Sequence, residues 1–184
     1  MLLWEQSGRV NTEATVTAAV TRAKELGIKQ VVVASNTGAT ARKFLESGLD
    51  IVCVTHQVGF REPGGDEMPA DARHELQAAG IKVLTTTHLF RGVNRGIVLA
   101  HGGYDPGMVV SDTLRLFGQG TKVAVEVAVM ALDAGLISHG HDVVAVGGSS
   151  RGADTALVLR PAHSGQFLQT KIREIICKPR GWER

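Results

Sequence analysis

The segment Ser35 to Thr40, with the sequence Ser-Asn-Thr-Gly-Ala-Thr, carries residue types suited to binding an anion. It joins the β-branched run Gln30 to Ala34 to the predicted start of a helix. Three hydroxyls and the amides around Gly38 are expected to converge at the positive end of that helix, where a phosphate binds without a lysine. An ordinary helix cap is the alternative, although a cap needs only one hydroxyl. We therefore predict an anion site that comprises Ser35, Asn36, Thr37, Gly38 and Thr40.

Further polar or glycine-rich segments occupy similar positions along the chain. Thr55 to Phe60 and Thr86 to His88 follow predicted strands, as does Gly147 to Gly152, while Gly118 to Lys122 opens a predicted helix. In a doubly wound sheet these segments meet at the carboxyl edge, where ligands bind at the reversal in strand order. Gly147-Gly148 is alternatively only a tight turn, but the neighbouring Arg151 favours an anion. Their convergence, rather than any single segment, indicates a ligand site.

Other candidate residues favour structural roles. His56 lies just past a strand end, where an imidazole can act as a general acid or base, but no partnered nucleophile or carboxylate is evident. His139 and His141 form a pair without a third ligand, so no metal site is predicted. Glu126 shares a helical stripe with Lys122 and Asp133, which favours a solvated surface over a catalytic acid.

The composition excludes several classes of protein. The 184 residues fit one domain, 1–184, and a net charge of +2 with 4% aromatic residues argues against a nucleic-acid partner. The longest apolar stretch, Val123 to Ile137, contains charged residues and is too short to span a bilayer, so no membrane partner is expected. No signal peptide is visible, and two cysteines in apolar runs suit a reducing, cytoplasmic location. The basic run Lys178, Arg180 and Arg184 is interpreted as a solvated tail. A homo-oligomer is left open.

Short β-branched runs alternate with amphipathic segments, which predicts an α/β fold with a largely parallel sheet covered on both faces. Asn11 is expected to cap a first helix that ends at Gly27, and a second helix is expected from about Gly38 to Glu46. The last two strands lack an intervening helix, so at least one of them is expected to be antiparallel. The expected strands are Gln30 to Ala34, Ile51 to Thr55, Lys82 to Thr86, Asp142 to Val146, Thr155 to Leu159 and Ile172 to Cys177. The other expected helices cover about 70–79, 109–117 and 121–136.

At Ser35 to Thr40 the sequence resembles the C-terminal α/β domain of pyruvate kinase, in which such a loop binds a phosphate of the sugar bisphosphate effector. Asn11 to Thr15, Val31 to Leu45, Gly118 to Ala134 and Gly147 to Ala156 extend the likeness, in the same order, to stand-alone prokaryotic relatives of that domain. The resemblance implies a three-layer α/β/α fold with a mixed, mostly parallel sheet. It does not imply pyruvate kinase activity, because the catalytic (β/α)₈ barrel typically needs about 250 residues.

Some of those relatives look like flavin mononucleotide (FMN) binders, so the resemblance implies FMN as the first-choice ligand. The phosphate is then expected on residues 35–40. The flavin ring is expected near a second set of residues: Thr55, His56, Gly59, Gly147, Gly148, Ser149, Arg151 and Gly152. The leading hypothesis is a binding module for a phosphorylated small molecule. A flavin-dependent oxidoreductase and a sugar-phosphate-sensing regulatory subunit are the alternatives.

Overall fold

Runs of β-branched residues form the central strands of the sheet, because such side chains pack well on a pleated surface buried on both faces. The computed structural model describes residues 1–181. Its seven strands have the order β1-β7-β6-β5-β2-β3-β4. Only β6 runs antiparallel to its neighbours β5 and β7, as expected for the last strands. The strands are β1 Leu2–Trp4, β2 Gln30–Ala34, β3 Asp50–Thr55, β4 Lys82–Thr85, β5 Val143–Gly147, β6 Thr155–Arg160 and β7 Lys171–Pro179.

Helices cover both faces of the sheet, which confirms the three-layer architecture. Alternate residues of β2 divide between two cores, since successive strand side chains point to opposite faces. Val31 and Val33 pack with the residues of α1 and α3, whereas Val32 packs with the apolar face of α6. The helices are α1 Thr12–Glu25, α2 Ala39–Arg42, α3 Ala70–Ala78, α4 Val93–His101, α5 Pro106–Arg115 and α6 Gln119–Asp133.

Several boundaries differ from those expected. The second helix is a single turn, α2, followed by a 3₁₀ turn at Leu45–Ser47. Asn11 does not cap α1, because its Nδ2 donates to the carbonyl oxygen of Gln6 at 2.7 Å and the helix follows directly on a 3₁₀ turn. Strand β1 and helix α4 were not predicted, since β1 has only three residues at the edge of the sheet and α4 contains Gly96 within a glycine-rich stretch.

Residues 171–179, near the C-terminus, belong to the sheet rather than to a tail. Strand β7 extends to Pro179 and pairs with β1, and the amide of Arg180 donates to the carbonyl oxygen of Trp4 at 2.8 Å. Lys178 is part of this strand, while Arg184 lies outside the described residues. Cys53 and Cys177 are buried and unbridged. Over residues 1–181, none of the helices is both long and apolar enough to cross a bilayer.

Candidate functional site

The strand order reverses at β2, which has β3 on one side and β5 on the other. The segments after these parallel strands therefore leave the sheet at one edge, the carboxyl edge. The first turn of α6 also lies there, since a Cβ built on Gly147 would fall 2.4 Å from the carbonyl oxygen of Gly120. The structure thus brings all the predicted loops to the same edge.

The β2–α2 turn, residues 35–40, uses some of its polar groups internally. Ser35 Oγ accepts hydrogen bonds from the amides of Thr40 at 3.1 Å and Ala41 at 3.4 Å, and both Ser35 and Thr40 are buried. Thr37 is exposed, and among the described residues the amides of Asn36, Thr37 and Ala39 have no acceptor. The donors open to a ligand are therefore these three amides and the Thr37 hydroxyl. A helix of four residues adds little dipole to them.

Gly38 is fixed by packing as well as by backbone conformation. Its φ is +81°, and a Cβ there would lie 2.8 Å from Cδ1 of the buried Leu76. The turn is thus anchored on α3.

Replacing Gly38 by alanine is expected to lower the free energy of unfolding by about 2 kcal/mol, from left-handed strain and from overpacking together. Gly48 is the matched control, because its φ is +72° but nothing lies within 4 Å of a built Cβ. Gly48→Ala should lose only about 1 kcal/mol, the strain alone. Urea unfolding measures both variants, and equal losses of unfolding free energy in Gly38→Ala and Gly48→Ala would show that the contact with Leu76 is unimportant.

Asn36 and His56 link the ends of β2 and β3. The His56 amide donates to Asn36 Oδ1 at 3.1 Å, so Asn36 Nδ2 faces His56 Nε2 at 3.2 Å. Nε2 must then accept, which leaves the ring proton on Nδ1, where it is donated to Glu67 Oε1 at 2.5 Å. Burial lowers the pKa of His56, against the opposing effect of Glu67. His56 is therefore a neutral imidazole with a carboxylate partner, although the sequence showed no such partner.

Thr55 and Gly59 shape the β3 loop. Thr55 is buried, and its hydroxyl lies 2.7 Å from that of Thr85 on the neighbouring strand. Gly59 has a φ of +80°, and its amide donates to the carbonyl oxygen of Gly65. Phe60, the next residue, stacks on the His56 ring with centroids 3.7 Å apart. The loop consequently presents an aromatic surface beside the β2–α2 turn.

The β5–β6 loop, residues 147–152, is held by the buried carboxylate of Asp154. Asp154 Oδ2 accepts from the amides of Gly8 at 2.7 Å and Ser149 at 3.1 Å. A Cβ on Gly148 would lie 2.5 Å from the carbonyl oxygen of Gly152. Gly148 is therefore required by close packing within the loop. Arg151 is exposed and forms no ion pair with any described residue, so its charge is open to a ligand.

A buried ionic cluster lies behind the β3 and β4 loops. Glu126 is 1% and Lys122 is 5% exposed, and Lys122 Nζ lies 2.5 Å from Glu126 Oε2. The Phe90 amide donates to Glu126 Oε1 at 3.1 Å, and His88 Nδ1 lies 3.5 Å from Oε2. The expectation of a solvated stripe was wrong for both residues, because the face of α6 that carries them packs under the loop of residues 86–90.

Desolvation and charge oppose each other in this cluster. Burial acts to raise the pKa of Glu126, but the hydrogen bond from His88 and the charges of His88 and Lys122 outweigh it and bring the pKa to about 2. Burial lowers the pKa of Lys122 despite its glutamate partner. One carboxylate thus faces both Lys122 and His88, and it remains ionised.

A groove at the opposite edge of the sheet does not involve these loops. It lies at the amino ends of β2, β3 and β5, between residues such as Gln30, Asp50 and Ser138. Asp142, also in the groove, pairs with Arg160 at 2.8 Å. None of the predicted ligand residues lines it.

The family model described as "Pyruvate kinase, alpha/beta domain" matches residues 13–159. The chain belongs to this family. Three solved structures of Cryptosporidium parvum pyruvate kinase are similar, with TM-scores of 0.41, 0.40 and 0.38 and identities of 19%, 21% and 18%. They cover 80%, 88% and 91% of this chain, and the second is a complex with ADP. This chain spans only 22–23% of the length of those pyruvate kinases.

Within this pyruvate kinase alpha/beta domain, all the predicted ligand loops fall inside the matched residues, whereas β1 and β7 lie outside them. The sequence reasoning missed Glu67, Phe60 and the burial of Glu126. The sequence did contain a signal for the burial of Glu126. Lys122 and Glu126 are an i, i+4 ion pair in a helix that is otherwise apolar all round, and such a helix is buried. Nothing in the spacing of Glu67 identified it as the partner of His56.

Proposed function

We propose that this domain binds a phosphorylated small molecule at the carboxyl edge, with FMN as the first candidate. One observation carries the proposal: the exposed Thr37 hydroxyl and three amides without acceptors lie together where the strand order reverses. Such grouped backbone donors favour anions. The family membership supports the same location, because the turn falls within the matched residues.

The surroundings fit a ligand larger than phosphate. The proposed phosphate position is beside Asn36, whose side chain is held by His56, and the exposed Arg151 adds positive charge. The ring of a flavin would lie between residues 55–59 and 147–152, near the stacked rings of His56 and Phe60. Aromatic side chains and a few fixed polar groups are typical of cofactor sites.

No pyruvate kinase activity is proposed, since the family match covers the alpha/beta domain alone. A cytoplasmic location is proposed from the two buried, unbridged thiols.

The visible spectrum of the purified protein tests the cofactor directly. We expect a flavin absorption band and release of FMN on heating, identified by mass spectrometry. A colourless protein that does not bind added FMN but binds a sugar phosphate in calorimetry would replace FMN by the second-choice ligand.

Thr37→Val tests the phosphate position, because it removes a hydroxyl without disturbing the core. We expect ligand affinity to fall at least tenfold, which corresponds to about 1.4 kcal/mol for a lost hydrogen bond to a charged group. Thr17→Val is the matched control, since Thr17 is an exposed threonine in the middle of α1. Unchanged affinity in Thr37→Val would remove the phosphate from this turn.

A further inference from the structure

Two imidazoles at the carboxyl edge are each backed by a carboxylate. His56 follows β3 and its Nδ1 lies 2.5 Å from Glu67 Oε1, while His88 follows β4 and its Nδ1 lies 3.5 Å from Glu126 Oε2. The two ring centroids are 5.3 Å apart. A carboxylate on Nδ1 is the arrangement that orients Nε2 for proton transfer in catalytic dyads.

The hydrogen-bond partners of the two rings differ, and they determine which ring nitrogen carries a proton. His56 Nε2 faces the amide donor of Asn36 and must carry a lone pair. His88 Nε2 instead faces the carbonyl oxygen of Thr55 at 3.3 Å, so this nitrogen carries a proton and donates it. The site therefore pairs a nitrogen with a lone pair, a base, with an N–H donor, an acid.

Neither ring is sealed in the core. The His56 side chain is 19% exposed and the His88 side chain 11% exposed. The contacts at their Nε2 atoms, 3.2 Å and 3.3 Å, are longer than the commonest hydrogen-bond distances, so a substrate atom can replace either partner. Asn36 contacts His56 and also belongs to the proposed phosphate turn, which places the base beside the anchored phosphate.

A purely structural role explains less well than proton transfer why each imidazole has a carboxylate partner. His88 and Glu126 help to attach the loop of residues 86–90 to α6, but the Phe90 amide, which donates to Glu126 Oε1 at 3.1 Å, already makes that attachment. The pair His56–Glu67 joins two residues of the loop that follows β3, and neither side chain is fully buried. An imidazole lone pair and an imidazole N–H, on rings 5.3 Å apart, are typical of acid–base sites.

We infer that His56 and His88 form the acid–base pair of a proton-transfer site for a phosphorylated α-hydroxy carbonyl compound. His56 Nε2 takes the proton from the carbon beside the carbonyl, and the C–H electrons form the carbon–carbon double bond of an enediol. His88 Nε2 gives its proton to the carbonyl oxygen. Return of the protons regenerates both rings, with no oxidant or reductant. The inference rests on the phosphate position of the proposed function, not on FMN.

Proton exchange in D₂O tests the inference. The probes are dihydroxyacetone phosphate, ribose 5-phosphate and fructose 6-phosphate. Exchange is measured as loss of the signal of the proton on the carbon next to the carbonyl. The wild-type protein should exchange at least one probe, and His56→Gln and His88→Gln should slow that exchange at least about 100-fold. His74→Gln, at an exposed histidine of α3, is the matched control and should keep the full rate. No exchange of any probe by the wild-type protein overturns the inference.

A second variant and a second measurement separate chemistry from folding. Glu67→Gln keeps a hydrogen bond to His56 in a half-exposed loop, and it should slow exchange about tenfold in a folded protein. In ligand-free protein labelled with ¹⁵N-histidine, His56 should carry its proton on Nδ1 and His88 should carry one on Nε2. A His88 Nε2 without a proton overturns the acid role.

Failure of this inference can be told from failure of the proposed function. Binding of inorganic phosphate that depends on Thr37, without exchange of any probe, overturns the acid–base pair and leaves the binding site. Exchange that depends on His56 and His88 but not on Thr37 overturns the phosphate position instead. A yellow, FMN-loaded protein that exchanges no probe, before or after removal of FMN, also overturns the pair.

Discussion

Replacement of Glu126 by glutamine is expected to lower the free energy of unfolding by roughly 3–5 kcal/mol, the range for breaking a buried ion pair. Glu126 is 1% exposed and is the acceptor for Lys122, His88 and the Phe90 amide. Without its charge, Lys122 must lose a proton or stay buried as an unpaired cation, and His88 loses its carboxylate partner. Urea unfolding of both proteins measures the loss, which is a large share of the about 5–15 kcal/mol that stabilises a typical domain.

Glu13→Gln is the control for this change. Glu13 is paired with Lys43, but its side chain is 76% exposed, so the loss should be no more than about 1 kcal/mol. Comparable losses in the two variants would mean that the buried cluster contributes no more than a surface ion pair.

The same carboxyl predicts a particular dependence of stability on pH. Its pKa is depressed to about 2 from an ordinary value of 4.5, so the unfolded chain binds its proton first as the pH falls. The stabilisation from Glu126, about 3 kcal/mol, is therefore fully present above about pH 5 and is lost as the pH falls towards 2. The free energy of unfolding, measured between pH 6 and 2.5, should decrease more steeply with falling pH in the wild-type protein than in Glu126→Gln. Parallel profiles would contradict the depressed pKa.

Gly147→Ala is expected to have an effect of similar size, a loss of roughly 3 kcal/mol or more, through overpacking against backbone that cannot move aside. A Cβ at this position would lie 2.4 Å from the carbonyl oxygen of Gly120 and 2.9 Å from the amide nitrogen of Ala124. Helix α6 would have to move away from the end of β5. The predicted ligand loops at residues 118–122 and 147–152 adjoin these two elements.

Gly165→Ala is the control for this substitution, since nothing lies within 4 Å of a Cβ built there. It should change the stability by less than about 0.5 kcal/mol. Thermal unfolding compares the three proteins. A Gly147→Ala protein as stable as the wild type would show that α6 is free to shift.

Local sequence determined the central strands and the type of fold. β-Branched runs such as Val31 to Val33 and Val143 to Val146 have no better environment than a sheet covered on both faces, and they lie where the pattern placed them. The connection between β6 and β7 contains no α-helix, only a 3₁₀ segment at Ser164–Gln169, and it likewise required an antiparallel strand. The position of the ligand loops at one edge follows from parallel strands alone. These features depend on residues that are close together in the chain, so the sequence pattern predicts them.

Only the tertiary structure decided what the polar side chains do. Glu67 reaches His56 across a loop, and Glu126 meets His88 between α6 and the end of β4. Ser35, which the pattern placed on the ligand, satisfies the amides of its own turn. Burial and hydrogen bonding are set by groups far apart in the chain. Their energies appear only once the sheet has brought those groups within about 3 Å, where hydrogen bonds form.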